Sequence, residues 1–250
     1  PPGPRRRLTD DPAPGRPAHF LMRQARGPRY PPGMSGERIL MAHGGGGQLT
    51  AELIDEVILP ALGGRPDGLD DAAELAPEAG GRLMFTTDSY VIEPLEFPGA
   101  DIGKLSVCGT VNDLAVCGAG PAALSLGLIL EEGLEIDLLR RVLASAGRAA
   151  REAGAAVVTG DTKVVERRGP AAGMYVNTAG VGALLPGANL GFGRVAAGDA
   201  LLVTGPLGLH GMAVMCCREG LGIAADLVSD CDCLADLAAA LVAGLGERLD

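Results

Sequence analysis

The chain has 250 residues, 47% of them hydrophobic, and a formal net charge of −10. That length and apolar content can bury a sizeable core in one or two domains. The acidic balance argues against nonspecific binding to nucleic acid or to anionic membranes, which needs Lys and Arg against phosphate, and no run reaches the ~18 apolar residues of a membrane span.

Residues 1–38 are rich in Pro and Arg with little apolar periodicity, so they are expected to form a disordered extension. No apolar segment follows Arg5-Arg6-Arg7, which excludes a secretion signal, and Met34-Ser35-Gly36 reads as a start. His43 and Gly44 to Gly47 form a glycine loop, and Leu49, Leu53, Ile54, Val57 and Ile58 then recur at helical spacing. Leu83 to Thr87 reads as a strand that Tyr90 to Ile92 can continue. Asp101 to Cys117 reads as a helix, Ala122 to Leu130 as an apolar strand, and Ile136 to Ala153 as an amphipathic helix ended by Gly154. Ala155 to Thr159 reads as a strand delivering Gly160-Asp161-Thr162, and Met174 to Ala183 as another. The Gly-rich stretch 186–198 reads as a domain boundary. Beyond it come an expected strand at Ala200 to Thr204, a helix near Gly211 to Glu219 and a last helix from about Leu234 to Leu245. The expected organisation is an extension over 1–38, a first domain over 39–186 and an incomplete second domain over 187–250.

Six cysteines punctuate this order. Cys108 and Cys117 read as small hydrophobes within a helix. Cys216-Cys217 is a vicinal pair, and Cys231-Asp232-Cys233 is too tightly spaced for ordinary zinc binding. With no CxxC, the expectation is reduced, structural thiols in a cytoplasmic protein.

Chemistry is carried by four acidic clusters: Leu69-Asp70-Asp71-Ala72-Ala73, Thr86-Thr87-Asp88-Ser89-Tyr90, Val111-Asn112-Asp113-Leu114 and Thr159-Gly160-Asp161-Thr162-Lys163. Each sets a carboxylate among small residues. Small neighbours admit a bulky polyanion, and hard divalent cations reconcile it with the carboxylates. Taken singly, each has a plainer reading: a helix cap at Asp71, a turn at Asp88 or Asp161, solvent exposure at Asp113. Their joint occurrence favours Mg²⁺–nucleotide chemistry. Lys104 and Lys163 lie within or close to the acidic motifs, where an ammonium can meet phosphates or pair with Asp. The Gly44 to Gly47 loop suits an anion but lacks the Gly-Lys-Ser/Thr of a P-loop. Gly205 to Gly211 is a second Gly-rich turn.

HGGGGQLTAELI, LDDAAEL, the long block from Phe85 to Ala119, LILEEGL, VTGDTKVVERRG, YVNTAGVG, VTGPLGLHGMAV and SDC together resemble the HypE family of hydrogenase maturation factors. That family lies in the superfamily of aminoimidazole ribonucleotide synthetase and thiamine-monophosphate kinase. The resemblance covers about residues 39 to 233. It implies a two-domain α/β (α+β) fold of the aminoimidazole-ribonucleotide-synthetase type, whose first domain binds ATP and dimerises through a barrel-like interface. It implies ATP-dependent dehydration of a C-terminal cysteine S-carboxamide to a thiocyanate, supplying cyanide for nickel–iron hydrogenase. The implied partners are a second copy, the carbamoyltransferase HypF and the HypC–HypD scaffold, with no nucleic acid and no membrane.

Carried onto this sequence, Asp71, Asp88, Asp113 and Asp161 match Mg²⁺ positions. Lys163 and Asp113 match catalytic positions. Thr87, Lys104, Asn112, Gly160, Thr162, Gly45 and Gly46 match nucleotide-binding positions. Two departures stand out: Leu209 replaces an Asp of the family's Gly-Asp-His-Gly turn, and the family's acceptor cysteine has no counterpart near Asp250. Two alternatives stay open: a small-molecule phosphotransferase or ligase of the same superfamily, against which the long family-specific words argue, and a catalytically incomplete scaffold fragment, which the missing tail favours.

Overall fold

The computed structural model describes residues 47–53, 55–56, 73–75, 81–220 and 227–249. The expectations for residues 1–38, for Gly45 and Gly46 and for Asp71 therefore lie outside the described residues. The chain divides into two compact units, Pro1–Gly68 and Leu69–Asp250. In the first, helix α1 (Gln48–Leu53) opens with Thr50 and Ala51 donating their amides to the Gly47 carbonyl, and Gln48 donates to Glu52 at 2.8 Å one turn on.

The second unit is built on a five-stranded sheet. Its strands are β1 (Ala73–Leu75), β2 (Leu83–Tyr90), β5 (Ala119–Glu131), β6 (Ala156–Val165) and β7 (Met174–Leu184), in the order β1-β2-β7-β5-β6. All neighbours run antiparallel except β5 and β6, which are parallel. The parallel pair needs a crossover. Helix α3 (Ile136–Glu152) supplies it, ending at Gly154, whose φ of 71° is the left-handed conformation glycine adopts without strain. A small ribbon, β3 (Glu96–Phe97) with β4 (Ala100–Asp101), leads into helix α2 (Ile102–Val116).

Helices α2 and α3 lie on one face of the sheet. The alternation along β7 shows it: Met174, Val176 and Thr178 are buried, while Tyr175 and Asn177 between them are exposed. α2 is buried nearly all round, from Ile102 through Val107, Val111 and Leu114. Asp101 caps its N-terminus, its Oδ1 accepting from the Gly103 and Lys104 amides at 2.8 and 2.9 Å. Two glycines permit the close packing. A Cβ on Gly103 would lie 2.2 Å from the Val142 carbonyl oxygen of α3, and one on Gly109 would lie 2.1 Å from the Tyr90 hydroxyl. α3 buries one stripe, Val142, Ser145, Ala146, Ala149 and Ala150, as its 3.6-residue periodicity requires.

Past the sheet come helix α4 (Leu209–Arg218) and helix α5 (Ala235–Leu245), close to the predicted helices. The expected strand at Ala200 to Thr204 is not formed among the described residues. Leu201, Leu202 and Val203 are 89%, 85% and 65% exposed and stand in no ladder, so the apolar run has no strand to pair with.

Candidate functional site

Pairing register sorts the sequence-predicted residues onto two sides of the sheet. Strand β2 directs Met84, Thr86, Asp88 and Tyr90 to the helix-covered side, and Phe85, Thr87 and Ser89 to the other. On the covered side Thr86 donates its hydroxyl to Asp113 Oδ2 on α2 at 3.0 Å. Beneath this bond lies a buried hydroxyl chain. Thr178 donates to the Ser106 carbonyl at 3.1 Å and is itself bonded to the Thr110 hydroxyl, and Tyr90 reaches Thr110 at 3.5 Å. Burial pushes the Tyr90 phenol above its ordinary range, and the Asp88 and Asp113 carboxylates push it the same way. Both carboxylates thus face one phenol, Asp88 exposed and Asp113 half-buried. Asp88 is not a turn residue after its strand, as the sequence suggested. It lies within β2, and its own carboxylate accepts from the Ser89 amide at 2.7 Å.

On the opposite, helix-free side the row Ser89–Asn177–Gly127–Asp161 runs across four strands. Asn177 donates to the Asp88 carbonyl at 2.9 Å, to Ser89 Oγ at 3.0 Å and to Thr87 Oγ1 at 3.3 Å. Thr87 in turn donates to the Thr178 carbonyl at 2.9 Å. Asp161 sits inside the edge strand β6 rather than past its end. It pairs with Lys163 at 2.7 Å, and that ammonium with the Thr162 amide holds its carboxyl below the ordinary range. Thr162 and Gly160 alternate onto the covered side. Gly160 has a structural reason to be glycine, since a Cβ there would lie 2.2 Å from the Leu126 carbonyl oxygen.

Within one chain, then, Asp88 and Asp113 lie on the same side of the sheet, while Asp161 and Lys163 stand on the other. Among the described residues no group of three or more His, Cys, Asp or Glu side chains is arranged to hold a metal ion. Two carboxylates nevertheless suit Mg²⁺, which keeps several waters and takes the remaining oxygens from phosphates.

Lys104 and Asn112 belong to a third place. They lie two helical turns apart on α2, and both hold the segment 231–234. Lys104 pairs with Asp232 at 3.4 Å, while Asn112 donates to the Asp232 carbonyl at 3.0 Å and accepts from the Leu234 amide at 2.7 Å. Burial pulls the Lys104 ammonium down, but the Asp232 carboxylate outweighs it and holds Lys104 above its ordinary range. Sequence reasoning missed Asp232 as the partner. The only local signal was the spacing of Lys104, Cys108 and Asn112 on one helical face. It also missed Ser229 and Asp230, which meet His210 at the start of α4: Asp230 accepts from the His210 amide at 2.9 Å, and Ser229 Oγ lies 3.0 Å from Nδ1. Leu209, the departure from the family turn, is the first residue of that helix.

Residues 69–184 match the family model for AIR synthase related protein, N-terminal domain. Carbamoyl dehydratase HypE of Rhodobacter capsulatus is 50% identical over 211 residues, covering 83% of this chain and 61% of that protein. Its namesake from Escherichia coli (strain K12) is 49% identical over 205 residues, covering 80% and 60%. The chain thus spans about three-fifths of the length of these relatives. A crystal structure of a HypE–HypF complex superposes with a TM-score of 0.68 at 42% identity, covering 76% of this chain and 61% of that one. A crystal structure of hydrogenase maturation protein HypE in complex with ATP gives 0.62 at 44% identity, covering 84% and 62%. The sheet with its α2 and α3 cover thus has the AIR-synthase-related fold, and the chain is similar to HypE proteins along most of its own length.

Proposed function

We propose that this chain carries the nucleotide-binding half of an ATP-dependent carbamoyl dehydratase, which converts a cysteine S-carboxamide to a thiocyanate with release of ADP and phosphate. Half identity to proteins named carbamoyl dehydratase HypE carries the reading. A carboxamide oxygen is a poor leaving group. Phosphorylation makes it a good one, and loss of the N–H protons then leaves the nitrile.

Asp88 and Asp113 would hold Mg²⁺, with Asp71 as a further carboxylate; Asp161 lies across the sheet from them and would take part only through a second copy. The ion supplies charge neutralisation on the triphosphate. Asp113 is fixed for that task by Thr86, and Asp88 by its place in β2. Lys163 would move from Asp161 to the reacting carboxamide or phosphate. Gly160 and Thr162, on the same side of the sheet as Asp88, would border the nucleotide. Lys104 and Asn112 enter it less directly, by holding the 231–234 segment beside α2.

A homodimer supports this arrangement. The helix-free side of the sheet exposes Phe85, Ile129 and Tyr175 at 38%, 45% and 38%, and β6 is exposed along its whole length at the sheet edge. A second copy on that side would cover the apolar surface and build on Asp161 and Lys163. We assign a first domain over 39–186 and part of a second over 187–250, with HypF and the HypC–HypD scaffold as partners in the cytoplasm. Among the described residues no helix is long and apolar enough to cross a membrane.

The test is release of phosphate from Mg-ATP with and without an S-carbamoylated cysteine peptide. Peptide-dependent turnover, with thiocyanate formed, is expected. Turnover on a small molecule alone would favour a phosphotransferase. No turnover with intact ATP binding would favour a scaffold.

A further inference from the structure

We propose that Cys108 and Cys233 form a reversible thiol–disulfide pair, oxidised by a low-molecular-weight disulfide with the help of Cys231, which ties the 231–234 segment covalently to α2. Three thiols meet here from distant parts of the sequence. Cys108 Sγ lies 3.1 Å from Cys233 Sγ, and Cys231, two residues before Cys233, packs on the same core cluster. All are free cysteines, and Cys231 and Cys233 pack half-buried on the core cluster that contains Cys108. The surrounding bonds hold them in place. Lys104 and Asn112, one turn before and one turn after Cys108 on α2, fix Asp232 and Leu234 on either side of Cys233.

The three thiols are not equivalent. Cys108 is 1% exposed, while Cys231 and Cys233 are reachable from solvent. Hydrogen bonds to Cys231 and Cys233, then burial, push the Cys108 thiol up. The same hydrogen bonds hold Cys231 and Cys233 below the ordinary thiol range despite their burial, and the Lys104 ammonium lowers both further. Thiolate character on the reachable members is what attack on a disulfide requires. A hollow of about 390 Å³ on the Lys104 side of α2 is lined by Asp101, Lys104, Ser145, Arg148 and Glu152, room for a small disulfide.

The step balances as follows. The Cys233 thiolate attacks one sulfur of the small disulfide, forming a mixed disulfide and expelling one small thiolate. Cys108 passes its proton to the Cys231 thiolate and attacks the Cys233 sulfur, expelling the second. Two protein thiols are oxidised to one disulfide, and the small disulfide is reduced to two thiols after proton uptake. A soft metal ion is the competing use of three sulfurs, but no metal-holding group is formed among the described residues.

The experiment treats the full chain with oxidised glutathione, blocks remaining thiols with N-ethylmaleimide and maps peptides without reduction. The expected result is a Cys108–Cys233 linked peptide, loss of two of the six alkylatable thiols, and reversal by dithiothreitol. Cys216→Ser should leave the link unchanged, Cys233→Ser should abolish it, and Cys231→Ser should slow its formation ~10-fold at neutral pH. Because the link is identified directly in the unaltered chain, a variant that fails to fold does not disturb the result. A stable glutathione adduct without the link, no reaction at Cys108, or zinc that co-purifies and protects the three thiols would each overturn the proposal.

Discussion

Thr86 on β2 donates to Asp113 on α2 at 3.0 Å, so the carboxylate of a helix interior is aimed by a strand. The bond explains why an Asn-Asp pair sits in a helix where both residues carry a propensity cost. It also holds the half-buried Asp113 carboxylate in one orientation rather than leaving it a freely solvated charge. Asp113→Ala should abolish nucleotide-dependent turnover while leaving the circular dichroism spectrum intact. Unchanged turnover would remove Asp113 from the site. Thr86→Val should cost about 1 kcal/mol of stability from the lost hydrogen bond and weaken Mg-ATP binding with it.

The packing of α2 gives a second prediction. A methyl group at residue 103 would meet the Val142 carbonyl, which is backbone and cannot swing away. Gly103→Ala should therefore force α2 and α3 apart and lower stability by roughly 1–3 kcal/mol. A chemical-denaturation curve unmoved from that of the unaltered chain would contradict this packing.

The Asp161–Lys163 pair predicts a pH effect with a definite sign. Lys163 lowers the Asp161 carboxyl from its ordinary value of 3.8. The contribution of the pair is present above that value and is lost as pH falls through the lower folded value. Since the carboxyl is fully exposed, its effect on melting should be slight. The direct readout is carboxyl-carbon NMR: Lys163→Ala should move the Asp161 midpoint upward, toward the ordinary value. An unmoved midpoint would show that the two side chains do not pair.

Asn112 predicts a local effect. Its side chain both donates to the Asp232 carbonyl and accepts from the Leu234 amide. Asn112→Ala should raise hydrogen exchange at the Leu234 amide far more than at the amides of β7. Equal protection in the variant would mean that the segment is held by other contacts.

Much of this architecture was legible before any coordinates. α3 was readable because one stripe of small apolar residues repeats at 3.6 and Gly154 ends it. β5 and β7 were readable as apolar runs of strand length, although both proved longer than expected. β6 was cut short at Thr159 because Gly160-Asp161-Thr162 looks like a turn. An edge strand exposed on both sides carries no hydrophobic alternation to show that it continues through Asp161 to Val165. The run Leu201 to Val203 misled in the opposite way, because an apolar triplet becomes a strand only where another strand meets it. The acidic motifs were visible one by one, but their sides were not. Whether Asp88 and Asp161 share a face depends on register across four strands, which no local pattern encodes. The hold of Lys104, Cys108 and Asn112 on residues 231–234 spans more than a hundred residues of chain and was invisible for the same reason.

On the proposed function, Asp88 and Asp113 together would hold Mg²⁺ for an ATP triphosphate. Isothermal titration of Mg-ATP into the full chain and into the Asp88→Asn/Asp113→Asn variant tests it most directly. Saturable binding that needs Mg²⁺ and weakens at least ~100-fold in the folded variant, the loss expected when two ionised ligands are removed, is the predicted result. Equal affinity in the two proteins, or equal affinity with and without Mg²⁺, would contradict it.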